Sequence, residues 1–185
     1  LKDISDTFES VLPAGSHYSY SIENLGENDG AILITRSEFM RRYREMAALN
    51  GGMNFYGSLP ESYNITINYE HPLVKKIIGM KDAELKSQLE DFDQKTATPE
   101  ARLAEINKSI SGKKESEIET SVKDEQKSIE EELENLKNQR KSLLSSFGKE
   151  CELLKEVVDL ALLANGMLKG EDLDRFIKRS LSLIK

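Results

Sequence analysis

The run YNITINYEHPLVKKII (Tyr63–Ile78) holds two structural periods side by side. In its first half Tyr63, Ile65, Ile67 and Tyr69 alternate with Asn64, Thr66 and Asn68, the pattern of a strand with one face on a core. That alternation predicts that the three polar side chains face away from the core. At His71–Pro72 the period changes. Proline suits a first helical turn, where its missing N–H costs nothing, and HPLVKKII reads as a short helix. A strand that hands over to a helix this abruptly marks a mixed α+β chain.

Upstream, Leu1, Ile4, Phe8, Val11 and Leu12 recur at helical spacing until Pro13 and Gly15 end the helix. Tyr18, Tyr20 and Ile22 then alternate with polar residues as a strand. After the turn-rich stretch Gly26–Gly30, the apolar run Ala31–Thr35 reads as its antiparallel partner. Next comes RSEFMRRYREMAALNGGMNFY (Arg36–Tyr56), capped by Thr35 or Ser37. Phe39, Met40, Tyr43, Met46 and Ala47 share one helical face and four arginines lie off it, before Gly51–Gly52 release the chain into Met53, Phe55 and Tyr56. Two readings stay open. The stripe packs on its own domain, or its Met and aromatic make-up offers an adaptable surface to varied partners.

From Lys81 the composition shifts. Between Lys113 and Lys141, 16 of 29 residues are charged, in mixed sign, without Gly or Pro. Val122, Ile129, Leu133, Leu136 and Leu143 run as a thin stripe near heptad spacing. Leu85, Leu89 and Phe92 give one upstream face, and Leu103, Ile106 and Ile110 another. Breaks are expected at Thr96–Pro99 and Ser111–Gly112. Residues 81–145 thus read as a projecting helical hairpin, with a disordered charged linker as the alternative. The last forty residues turn apolar again in two helices. Leu154, Val157, Val158, Ala161 and Leu162 line the first, which ends at Asn165–Gly166, and Leu173, Phe176, Ile177, Leu181 and Ile184 line the second. Each pair covers itself only in part, so these ten residues are the expected dimerisation surface, a four-helix bundle made by two copies.

The fold class that follows is α+β: a small three-stranded antiparallel or mixed sheet with flanking helices, an inserted charged hairpin, and a C-terminal helix pair. The units are 1–80, 81–145 and 146–185. The chain has 185 residues with a net charge of −7, which argues against nucleic-acid or membrane-surface partners. No apolar run approaches a membrane span, no signal-peptide pattern opens the sequence, and Cys151 is alone, so a cytoplasmic protein is expected. The chain opens at Leu1 inside a helical pattern, which reads as part of a longer protein.

No catalytic constellation stands out. His17 and His71 share no metal-ligand spacing with Cys151, His71 reads as a helix-starting residue, and the glycine clusters lack phosphate-binding patterns. No catalytic, cofactor or metal residue is expected.

Three segments together resemble a known family: ILITRSEFMRRYREMAAL, LPESYNITINYEHPLVKKI and DLALLANGMLKGEDLDRFIKRSLSLI. They are similar to the C-terminal domain of the heat-shock protein 90 chaperones, in the form found in bacteria, and cover residues 1–80 and 146–185. The most specific pieces are Asn68 with His71–Val74, Ala161–Gly166 and the helix around Phe39–Arg42. The resemblance implies a homodimer held by the last two helices. It also implies a helix that touches non-native client proteins through Phe39, Met40, Tyr43 and Met46, with Met53 nearby. ATP and Mg would be bound in a separate N-terminal domain, so this chain is expected to be no enzyme by itself. Segment 81–145 departs from the commoner bacterial pattern. An alternative function makes that arm a structural coiled-coil adaptor.

Overall fold

The computed structural model describes residues 2–13, 17–36, 62–112 and 118–183, with Glu38, Arg42 and Met46 as single helical positions between. Its elements are α1 (Lys2–Glu9), β1 (His17–Glu23), β2 (Ile32–Arg36), β3 (Ser62–Asn68), α2 (Pro72–Ile110), α3 (Thr120–Glu150), α4 (Glu152–Ala164) and α5 (Glu171–Leu183). The fold is α+β, as the change of period at His71 predicts.

The sheet is mixed, in the order β1-β3-β2. β3 runs parallel to β1 (Tyr20 opposite Ile65) and antiparallel to β2 (Ile34 opposite Ile65). The expected β1–β2 hairpin is therefore corrected: both strands pair with β3. Tyr63, Ile65 and Ile67 are all buried, whereas β1 presents half-buried tyrosines. The strand with the most apolar inward face takes the centre.

Asn68 also departs from the alternation. It is fully buried and closes the loop between β1 and β2. Its Nδ2 donates to the carbonyl oxygens of Gly26 (2.7 Å) and Gly30 (3.3 Å), and its Oδ1 accepts from the N–H groups of Leu25 and Glu70 (both 3.2 Å). All four bonds of the amide are used, which is what makes burial of so polar a group tolerable. The loop is shaped by a side chain from a third strand rather than by hairpin chemistry.

α2 begins as expected, with Pro72 in the first turn and His71 Nδ1 accepting from the Leu73 N–H (3.2 Å). It is not short. The helix continues without a break through Lys81 and through Thr96–Pro99 to Ile110. Gly112, with φ of +82°, turns the chain at the far end. α3 returns antiparallel: Asp93 meets Arg140 (2.7 Å), Arg102 meets Glu125 (2.7 Å) and Asn107 meets Gln126 (3.1 Å). The less exposed positions on both helices recur in alternating steps of three and four, through Leu89, Phe92, Thr96, Pro99, Leu103 and Ile106 on α2 and Ile129, Leu133, Leu136 and Arg140 on α3. That is the seam of an antiparallel coiled coil, and it makes the segment a helical hairpin rather than a linker.

α3 ends where Cys151 adopts an extended conformation (ψ 98°), and the chain bends directly into α4. Cys151 is buried between the two helices. Leu144, Phe147, Leu154, Val158 and Leu162 meet Phe8, Ile34, Ile65, Ile67 and Ile77 in one core. α1 lies on the root of the arm so closely that a Cβ at Gly148 would sit on Ser10 Oγ and 2.6 Å from the Thr7 carbonyl oxygen. Gly148→Ala is expected to lower stability by about 1–3 kcal/mol, because backbone rather than a flexible side chain must yield. Asn68→Ala is expected to cost about the same through four orphaned partners. Denaturant midpoints at unchanged m-value check both.

Candidate interaction surfaces

The C-terminal helix pair is apolar on more than one side, and the structure divides those sides. Leu154, Val157, Val158, Ala161 and Leu162 are all buried within the chain's own core, as is Phe176, and Leu173 packs half-buried against it. Seven of the ten expected dimerisation residues thus pack, wholly or partly, within this chain. Ile177 and Leu181 point outward, with Leu181 57% exposed. Ile184 lies outside the described residues. Two outward residues escape a sequence reading that places one stripe on each helix: Leu160, 51% exposed, and Leu163. The signal was present, since VVDLALLA carries more apolar residues than one stripe holds.

α4 and α5 are locked together by charge. Arg179 reaches Asp159 (2.6 Å) and Glu156 (3.2 Å), and Ser180 Oγ donates to Glu156 (2.7 Å). Burial works against the Arg179 charge, but the hydrogen bonds to Asp159 and Glu156 prevail and hold its pKa above the ordinary value. Glu156 is itself buried, so the pair must stay intact for either charge to be tolerated. The outward residues of α5 are thereby held on a fixed face.

A second charged anchor sits at the root of the arm. Arg140 occupies a seam position and forks onto Asp3 (Nε to Oδ1 2.8 Å, Nη2 to Oδ2 2.7 Å), while Nη1 donates to Asp93 (2.7 Å) and the Leu89 carbonyl oxygen (3.3 Å). Lys141 reaches Glu9 (2.9 Å). Three helices thus share one guanidinium, the bidentate geometry for which Arg is suited. The hydrogen bond from Arg140 holds the Asp3 carboxyl below its ordinary value, against the opposing pull of burial.

In the segment after β2, Met46 is helical and 60% exposed, and Arg42 pairs with Glu38 at 2.8 Å. Phe39, Met40, Tyr43 and Met53 lie outside the described residues. Among the described residues no three His, Cys, Asp or Glu side chains gather as metal ligands, and no helix is long and apolar enough to cross a membrane.

The chain is 36% identical over 183 residues to the chaperone protein HtpG of Bacteroides fragilis (strain 638R), an alignment covering 98% of this chain and 27% of that protein. It is 38% identical over 182 residues to the HtpG of Porphyromonas gingivalis (strain ATCC 33277), covering 96% and 26%. The chain is related to the HtpG chaperones. It spans about a quarter of the length of these HtpG relatives. With 98% of the chain covered, the arm lies inside the match. No family model and no solved structure matches the chain.

Because the folded Asp3 pKa is depressed, its contribution to stability is present above about pH 4 and lost as pH falls through the folded value. Asp3→Asn is expected to be less stable than the parent at pH 7 and to lose less stability on acidification from about pH 5 to 2. Urea titrations at a series of pH values check this.

Proposed function

We propose that this chain is the C-terminal dimerisation and client-contact domain of an HtpG-type, ATP-dependent chaperone. The observation that carries the reading is the outward apolar face of Leu160, Leu163, Ile177 and Leu181 on two helices that have already filled the core with their other sides. Four large exposed aliphatic residues on adjacent helices are an interaction surface rather than ordinary scatter. A second copy related by a two-fold axis covers them with the same residues, giving a four-helix bundle.

Client contact is assigned to the segment of Phe39, Met40, Tyr43 and Met46, with Met53 nearby. Support comes from the Met and aromatic composition and from the exposure of Met46. The similarity to HtpG over nearly the whole chain supports a chaperone role. ATP and Mg are assigned to a separate N-terminal domain, since no phosphate-cradling glycine pattern occurs here.

The adaptor reading, in which the arm is the working part, draws on one observation: the arm is an ordered hairpin rooted in the core. Deleting 94–139 while closing the hairpin with a short turn separates the two, because chaperone activity survives only if the arm is dispensable.

In sedimentation equilibrium the parent is expected to be a dimer at micromolar concentration. Leu160→Lys with Ile177→Lys is expected to be a folded monomer by circular dichroism. A parent that stays monomeric at tens of micromolar contradicts the assignment. Met40→Ser with Tyr43→Ser is expected to leave the dimer intact and weaken suppression of aggregation of a denatured probe protein several-fold. Loss of the fold would show instead that those side chains are core.

A further inference from the structure

The arm contains a contradiction between sequence and structure. Thr96–Pro99 carries the signals of a helix end, yet α2 runs through it. Pro99 has no N–H for the Lys95 carbonyl, and its ring crowds the preceding turn. Thr96 Oγ1 donates to the Asp93 carbonyl oxygen (3.2 Å), a side-chain bond that competes with the helical ladder and favours bending. Both residues lie half-buried on the seam.

A groove of about 430 Å³ opens beside Pro99, lined by Lys95, Thr98, Arg102, Ile129 and Glu132. On the root side of this point, Leu85, Leu89, Leu144 and Phe147 are buried in the core and Arg140 is tied to α1. On the outer side, Ile106 is buried, and Arg102–Glu125 and Asn107–Gln126 join the helices again. Opposite the weak turn, α3 carries Glu130–Arg140, in which nine of eleven residues are strong helix formers and none is Gly or Pro. The proline turn lies between a root packed into the core and an outer stretch joined by Ile106 and two polar pairs.

We propose that the arm is jointed: α2 opens at Thr96–Pro99, and the outer half bends on its root with unbroken α3 as the spring. Bending changes the width of the groove and the exposure of Ile129, so the tip sweeps an arc while the root stays fixed. The stored conflict between local sequence and overall fold is what makes the joint. Nothing in this inference depends on the chaperone reading.

Spin labels on Lys86→Cys and Lys108→Cys test it, in the full-length protein carrying Cys151→Ala. The labelled protein is mixed with excess unlabelled protein, so that only distances within one chain are read. The two positions are spaced by about 33 Å in an unbent helix. The parent is expected to give a broad distribution weighted to shorter distances. Pro99→Ala, which restores a helical donor and favours folding, is expected to give one narrow peak near the unbent value. A parent as narrow as Pro99→Ala overturns the joint, and so does a Pro99→Ala distribution as broad as the parent's.

Discussion

The packing of α4 into the core is the contact on which the rest of the structure depends. Leu154, Val157, Val158 and Leu162 are buried where α4 meets β2, α2, α3 and α5. Burying four such side chains contributes about 6–12 kcal/mol, comparable with the net stability of about 5–15 kcal/mol of an entire domain. Once that side of α4 is fixed, Leu160 and Leu163 have no choice but to face outward. The Arg179 cluster with Glu156 and Asp159 then sets α5 beside α4, and Ile177 and Leu181 on α5 are exposed as well.

The arm is built on the opposite principle. Its seam mixes aliphatic residues with Thr96, Pro99, Gln126 and Arg140, so hydrophobic burial alone does not define it. Polar seam residues fix register at a cost in stability, and Arg140 does so by bonding at once to α1 and to α2. α1 is pressed against the same root through the close approach at Gly148. The domain therefore carries a rigid base and an outer stretch held by far less apolar contact.

Local period was enough to read the β3 strand, the helix start at His71–Pro72, the helix end at Asn165–Gly166 and the hairpin with its turn at Ser111–Gly112. Long-range choices were not legible in the same way. The pairing of β1 with β3 rather than β2 depends on which strand has the deepest neighbours, and the burial of Asn68 depends on a loop 38 to 43 residues away in sequence. Pro99 signals a break because propensity speaks for one turn at a time, whereas the helix continues through it. The expected dimerisation residues divide in the structure: most are buried in the chain's own core, while Ile177 and Leu181 face outward. An apolar pattern shows that a residue seeks cover and not whether its own chain provides it. Met46 is exposed, while the rest of that stripe lies outside the described residues.

The central claim is that α4 and α5 have an inner side occupied by this chain and an outer side occupied by a second copy. Cysteine crosslinking across the two-fold axis tests it most directly, in a Cys151→Ala background with one cysteine introduced at a time. Leu160→Cys, Ile177→Cys and Leu181→Cys scan the outer side, and Val158→Cys reports the inner one. The account predicts that oxidation yields covalent dimer from at least one outer position and none from Val158→Cys. Crosslinking through Val158→Cys, or from no outer position at concentrations where the protein sediments as a dimer, would contradict it.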